Sequence, residues 1–217
     1  MESARQPVQK PRFRRGQVDA GHADLGKSEL TRPAPDLRDE RRTVQPSLTA
    51  ANHHPPIVGS PLRLQWPGED DTAAYARRLA ACPQVRDAFL VLRGDLGAGK
   101  TTFVRHLLRA LGVAGRIKSP TYAVVEPHEG APLAGTTAPM PIWHFDFYRF
   151  NDPREWEDAG FRDVFAGPGL KLAEWPDQAA GLLPTPDLSI DLAVQPNDTR
   201  EVTVSAHTAR GQALLAA

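Results

Sequence analysis

The sequence predicts an α/β domain, because a buried strand, a glycine-rich loop and an amphipathic helix follow one another directly. The strand is the apolar run Ala88–Leu92, which suits a central strand covered on both faces. The loop runs from Gly94 to Thr101. In the next segment apolar residues recur at helical spacing: Phe103, Val104, Leu107, Leu108 and Leu111. Gly112 is placed to end this helix.

Two elements are predicted before the central strand. Apolar residues alternate with polar ones over Leu62–Trp66, as they do in a half-buried strand. A helix is then expected to run through Tyr75 and Leu79, with Asp71 or Thr72 as its N-cap.

Further strands are predicted towards the C-terminus. Residues 123–125 are strand-like, and the Pro- and Gly-rich loop at 127–141 is expected to join two antiparallel strands. Alternation over Leu188–Val194, a turn-like segment and then Glu201–Val204 predict a final hairpin.

Composition and charge limit the classes of function. The chain has 217 residues, with 26 Lys and Arg against 26 Asp and Glu, so its zero net charge argues against a general nucleic-acid coat. A single cysteine, Cys82, excludes an internal disulfide framework and a cysteine-rich zinc site. The longest apolar run is too short to span a bilayer, and the N-terminus lacks the apolar core of a secretory signal. A cytoplasmic protein without a membrane partner is expected.

Residues 1–60 differ from the rest of the chain. They hold ten Lys and Arg against seven Asp and Glu, a net charge of +3, with seven of the 21 prolines and one aromatic residue, Phe13. Such a segment cannot offset its ordering entropy, so a disordered Pro/Arg-rich extension is predicted before a domain at 61–217. A transit peptide, which the acidic residues oppose, and a start codon assigned too far upstream are the alternatives.

The glycine loop carries the strongest chemical signal. Residues Gly94–Thr101 fit the phosphate-binding pattern G-x-x-x-x-G-K-[ST] at every fixed position. The glycines let successive backbone N–H groups surround phosphate oxygens, and the following helix adds its positive end. Lys100 can reach the terminal phosphates and Thr101 can offer a hydroxyl to Mg²⁺. A glycine-rich turn without a ligand is the alternative, but the strand–loop–helix context favours nucleotide binding.

The segment Ile142–Arg149 alternates strictly and presents two different faces. One face carries aromatic residues that we interpret as core: Trp143, Phe145 and Phe147. The other carries groups able to bond a nucleotide, a metal or water: His144, Asp146 and Tyr148. A sheet face open to solvent is the alternative interpretation of this second face.

A second candidate acid is Glu174, at the end of the short apolar strand Gly169–Glu174. P-loop proteins place a magnesium-side carboxylate or a water-orienting base in this way. Lys171 interrupts the apolar run, and an exposed acid before a loop is the alternative.

The segment Lys118–Tyr122 lies between the glycine loop and these acids. Pro120 fixes the chain before Thr121, and a threonine here could sense the terminal phosphate through a metal, as switch loops do. Taken alone, the segment favours an ordinary turn.

Four motifs together resemble one family. They are GDLGAGKTTF (Gly94–Phe103), KSPTY (Lys118–Tyr122), HFDFYR (His144–Arg149) and EWP (Glu174–Pro176). Their order and spacing resemble the bacterial TsaE family of P-loop ATPases, formerly called YjeE. The resemblance covers a core of about 61–206, and the first 60 residues have no counterpart in it.

The resemblance implies a P-loop NTPase-type three-layer fold with a mixed parallel/antiparallel sheet. It implies hydrolysis of ATP with Mg²⁺ in support of tRNA N6-threonylcarbamoyladenosine formation beside the anticodon. The implied partner is the TsaB–TsaD heterodimer, which would be reset between turnovers, so that tRNA is reached indirectly through the complex. If direct RNA contact exists, the basic residues of 1–60 are its first candidates.

The resemblance also assigns roles to residues. It assigns the phosphates to Gly97, Ala98, Gly99, Lys100, Thr101 and Thr102. Thr101 and Glu174 would address Mg²⁺, and Asp146 would bind the metal shell or activate water. Thr72 would line the nucleotide pocket. Switch or partner roles fall to Ser119, Thr121, Tyr122 and Trp175.

Two other functions share the glycine loop. A P-loop small-molecule kinase needs an acceptor pocket and usually an Arg-rich lid, and neither is evident between residues 113 and 186. A nucleotide-gated adaptor without useful catalysis would not need the pair of acids, Asp146 and Glu174. The one candidate arginine finger is Arg149, so weak turnover is expected until a partner docks.

Overall fold

The computed structural model describes residues 55–132 and 136–216. Its elements, in chain order, are β1 Leu62–Trp66, α1 Glu69–Ala81, β2 Phe89–Arg93, α2 Lys100–Ala110, β3 Val125–Gly130, β4 Met140–Asp146, α3 Pro153–Asp158, α4 Phe161–Ala166, β5 Leu170–Glu174, β6 Leu188–Val194, β7 Arg200–Ala206 and α5 Ala209–Ala216. Within these ranges no helix combines the length and the apolar character needed to cross a bilayer.

The seven strands form one mixed sheet in the order β1-β7-β6-β2-β5-β4-β3. Strands β6, β2, β5 and β4 run parallel, whereas β3, β7 and β1 pair antiparallel with their neighbours. This arrangement confirms the predicted mixed sheet. It also confirms the final hairpin, which is the antiparallel pair of β6 and β7.

Different helices cover the two faces of the sheet. Leu90 and Leu92 of β2 join a core cluster with α1, α2 and α5. Phe89 and Val91 belong to a second cluster, which Trp156 of α3 and residues of α4 complete. Each fully buried side chain of this size contributes about 1.5–3 kcal/mol to stability. The predicted central strand and the three-layer fold are both confirmed.

Helix α1 begins earlier than predicted. Its N-cap is Gly68, so the expected cap at Asp71 or Thr72 is wrong. Asp71 lies within the first turn, where its carboxylate accepts a 3.0 Å hydrogen bond from the Gly68 N–H. Acidic side chains in the first turn also interact favourably with the positive end of the helix dipole. This interaction stabilises a helix that begins before the acids rather than at them.

Helix α2 ends as predicted, at a glycine in the left-handed region. Gly112 has φ +85°, and its N–H bonds to the Arg109 carbonyl at 3.0 Å. The Val113 N–H reaches back to the Leu108 carbonyl at 2.9 Å. This pair of bonds is the Schellman motif, which satisfies the last helix carbonyls.

The strands around the predicted long loop differ from expectation. Ala123 and Val124 belong to a turn rather than a strand, because their N–H groups both donate to the Pro120 carbonyl. Strand β3 then includes Pro127, so the loop is shorter than 127–141. Proline is tolerated there because β3 is an edge strand, where a missing donor need not break a ladder.

The chain before β1 contacts the C-terminal end of β7. The Val58 N–H donates to the Ala206 carbonyl at 2.7 Å, and the Pro56 carbonyl lies 3.0 Å from His207 Nδ1. Residues 1–54 of the predicted extension lie outside the described residues. The boundary at residue 60 and the disordered extension therefore stay predictions.

Candidate functional site

The glycine loop connects the end of β2 to the start of α2. Gly94, Gly97 and Gly99 all have positive φ, at +132°, +83° and +106°. A Cβ on Gly94 would meet the Leu192 carbonyl oxygen at 2.3 Å, so the fold requires glycine there. A Cβ on Gly97 would meet nothing within 4 Å, which leaves that side of the loop open to a ligand.

Lys100 is the first residue of α2 and is almost completely buried. Its Nζ donates to the carbonyls of Gly94 and Asp95, at 2.7 and 2.9 Å. The same Nζ lies 3.9 Å from the centre of the Trp175 ring. Burial lowers the pKa of Lys100, and nearby carboxylates, Glu174 foremost, oppose that shift.

Glu174 ends β5 and is only 2% exposed. One carboxylate oxygen, Oε2, accepts a 2.8 Å hydrogen bond from the Thr101 hydroxyl. The other, Oε1, lies 2.8 Å from Nε2 of the fully buried His144. The candidate acid of β5 therefore meets the hydroxyl that follows the glycine loop, and the exposed-acid alternative is excluded.

Asp146 ends β4 and is also buried. Its Oδ2 accepts hydrogen bonds from the hydroxyls of Ser119 and Thr121, both at 2.5 Å. Its Oδ1 accepts from the Tyr148 N–H at 3.0 Å. The acid thus holds the segment 118–122 to the sheet. Because β4 ends at Asp146, Tyr148 lies beyond the strand, although the alternation predicted it within one.

One cleft of about 350 Å³ brings most of the predicted residues together. Its lining includes Gly97, Gly99, Lys100, Thr101, Thr102, Ser119, Thr121, Asp146, Glu174 and Trp175. The lining also contains Tyr148, which the alternation placed among the groups able to bond a ligand, and Leu96, which the sequence analysis did not single out. Leu96 occupies a variable position of the glycine pattern, so no sequence signal marks it. Tyr148 was marked only by its place in the alternation.

Three of the residues to which the resemblance assigns roles do not line the cleft. Thr72 is buried in α1, and Ala98 is buried within the glycine loop. Tyr122 is 86% exposed, and the Arg149 guanidinium lies 4.5 Å from the centre of its ring. Their assigned roles stay predictions.

The donor set at the cleft fits Mg²⁺. Thr101, Glu174 and Asp146 present a hydroxyl and two carboxylates, and oxygen ligands are the ones that Mg²⁺ prefers. Across the described ranges, no group of three or more His, Cys, Asp or Glu side chains could hold a metal alone. Mg²⁺ does not require such a group, since it is commonly held by one or two carboxylates together with substrate phosphates.

These features define the class of protein. A buried parallel strand, a glycine loop with positive φ angles, a Lys-Thr pair that begins a helix and an acid ending the next strand together constitute a P-loop α/β protein.

Comparison with known proteins gives the family. Residues 66–202 match the family model described as "Threonylcarbamoyl adenosine biosynthesis protein TsaE", and the chain belongs to the TsaE family. The tRNA threonylcarbamoyladenosine biosynthesis protein TsaE of Haemophilus influenzae is 40% identical over 126 residues, which are 58% of this chain and 75% of that one. The protein of the same name from Bacillus subtilis is 35% identical over 146 residues, covering 66% and 86%.

A solved structure agrees with this assignment. The crystal structure of YdiB from Bacillus subtilis matches with a TM-score of 0.54 and 29% sequence identity, over 71% of this chain and 91% of that one. The resemblance drawn from four sequence motifs is therefore confirmed at the level of family and fold.

Proposed function

We propose that this protein is a cytoplasmic ATPase of tRNA N6-threonylcarbamoyladenosine biosynthesis, which binds ATP with Mg²⁺ and hydrolyses it. The hydrogen bond from the Thr101 hydroxyl to the Glu174 carboxylate carries the proposal. It joins the helix start behind the glycine loop to the acid that ends β5. P-loop enzymes use such a pair of groups to hold the metal ion that binds the terminal phosphates.

The residues of the cleft would have different roles in phosphoryl transfer to water. The loop N–H groups and Lys100 would bind phosphate oxygens. Thr101 and Glu174 would hold Mg²⁺, and Asp146 would either join them or orient the attacking water. Bound Mg²⁺ supplies positive charge against the phosphate oxygens.

The partner assignment rests on the family. TsaE-like proteins are expected to act with the TsaB–TsaD heterodimer and to reset it between turnovers, so tRNA would be engaged through that complex. Among the described residues no arginine lines the cleft, and Arg149 lies on Tyr122 instead. This arrangement supports weak turnover by the isolated chain.

Steady-state release of phosphate from ATP tests the proposal, measured with the chain alone and with purified TsaB–TsaD. We expect slow release that the partners accelerate. Fast phosphate release at the same rate with and without TsaB–TsaD would contradict the reset role. Transfer of labelled phosphate to an acceptor would indicate a kinase, and ATP binding without release would indicate an adaptor.

A further inference from the structure

His144 contacts the site from within the core. Its side chain is fully buried in β4, and Nε2 lies 2.8 Å from Glu174 Oε1 on the adjacent strand β5. The opposite carboxylate oxygen faces the Thr101 hydroxyl. Glu174 is therefore held between an imidazole in the core and a hydroxyl of the cleft.

The hydrogen bond defines which ring nitrogen carries the proton. An ionised carboxylate can only accept, so Nε2 of His144 must be the donor. Nδ1 is buried and has no hydrogen-bond partner among the described residues. The His128 ring packs against that of His144, with centroids 6.4 Å apart.

Because Glu174 is buried, loss of its contact with His144 would not be compensated by water. Glu174 is 2% exposed, so water cannot readily replace a lost partner of Oε1. Without the imidazole donor, the carboxylate would have to rotate towards other donors or leave one oxygen unpaired. Rotation would move Oε2 relative to Thr101, and an unpaired buried Oε1 would destabilise the carboxylate in its present orientation.

We propose that His144 is a positioning residue, whose Nε2–H holds one oxygen of Glu174 so that the other is presented to Thr101 and the bound metal. The inference rests on the proposed binding of nucleotide with Mg²⁺. His144 touches neither substrate nor metal in this role and acts through Glu174.

The test measures ADP affinity of the full chain with Mg²⁺ and with EDTA, together with the unfolding midpoint in the absence of nucleotide. His144→Leu removes the donor, and we expect the Mg²⁺-dependent gain in affinity to fall about 10- to 100-fold, as for other residues that orient metal ligands. Affinity in EDTA should stay nearly unchanged. His106→Leu is the matched control, because it removes a histidine–glutamate pair of the same 2.8 Å length at the surface.

Two further variants keep the test decisive if His144→Leu does not fold. The amide nitrogen of His144→Gln can occupy the position of Nε2, whereas that of His144→Asn reaches only the position of Nδ1. We expect Gln to retain the Mg²⁺-dependent gain and Asn to lose it.

The possible failures are distinguishable. If the unchanged protein binds no nucleotide, or gains nothing from Mg²⁺, the proposed function fails. If it gains from Mg²⁺ and His144→Leu gains equally, the positioning role is overturned. Equal behaviour of Gln and Asn, or equal losses with Mg²⁺ and EDTA, would also overturn it and leave His144 a packing residue.

Discussion

Asp146 and Glu174 are register partners at the ends of adjacent parallel strands, β4 and β5. The backbone ladder sets the relative placement of these two acids. Their hydroxyl partners come from other segments: Thr101 begins α2, and Ser119 and Thr121 precede β3. The site thus consists of an acidic pair fixed by the sheet and two segments that dock on it.

Lys100→Ala should weaken nucleotide binding about 10- to 100-fold or more, because a charge-assisted hydrogen bond contributes about 1.5–3 kcal/mol. Isothermal titration with ADP and Mg²⁺ measures the change. Arg105→Ala is the control, since it removes an exposed cation from the same helix and should leave the affinity unaltered. An unchanged affinity for Lys100→Ala would refute the phosphate-loop assignment.

Gly94→Ala and Gly97→Ala should fail in different ways. The first adds a Cβ 2.3 Å from the Leu192 carbonyl oxygen and should cost on the order of 3 kcal/mol of unfolding free energy. The second has room and should cost about 1–2 kcal/mol for its left-handed backbone. Urea unfolding compares the two stabilities. Gly97→Ala should nevertheless lose nucleotide affinity, because its Cβ stands on the open side of the loop, and intact affinity there would argue against phosphate at this position.

Nucleotide binding should change the fluorescence of Trp175. Its ring lies 3.9 Å from Lys100 Nζ and packs against Tyr148 at 5.0 Å between centroids. Phosphates that attract the lysine away would remove this cation from the Trp175 ring. Adding ADP with Mg²⁺ should therefore shift the fluorescence emission of the unchanged protein. The same shift is expected for the control variant Trp143→Phe, which alters a tryptophan on the face of β4 opposite to that of Asp146. Trp175→Phe should lose most of the shift, and a shift retained in full would place the responding ring elsewhere.

Lys171 should make stability depend on pH. Its side chain is buried in β5, and burial lowers its pKa below the ordinary value of 10.5, with Asp87 opposing the shift. Between the folded and the unfolded pKa the unfolded chain binds more protons, so stability gains as pH rises through that window. Urea unfolding at increasing pH should therefore show the free energy of unfolding of the unchanged protein rising relative to that of Lys171→Met. Parallel pH profiles for the two proteins would contradict this prediction.

The local elements could be predicted because their signals are local. The apolar run of β2, the glycine pattern and the spacing along α2 each act over a few residues, and Gly112 ends α2 as expected. By contrast, α3 and α4 have six residues each and carry no periodic signal of their own. They are stabilised by packing Trp156 and Phe161 into the second core cluster, which the sequence alone does not reveal.

The same limit applied to the candidate site. The sequence indicated both acids and the hydroxyls, but not which acid meets which hydroxyl, because those pairs depend on tertiary structure. Alternation placed His144 on the face of Asp146, whereas the fold gives it Glu174 as a partner. The N-cap of α1 was mispredicted because Asp71 is equally suited to a cap and to a first turn.

The contact between Thr101 and Glu174 also has a consequence for how the protein folds. The two residues are 73 positions apart. They can therefore pair only after a long loop has closed and the parallel strands have docked. We expect the cleft to be absent from the folding transition state. A bound nucleotide should then slow unfolding while leaving the refolding rate almost unchanged. The nucleotide would then lengthen the lifetime of the folded molecule without speeding its formation.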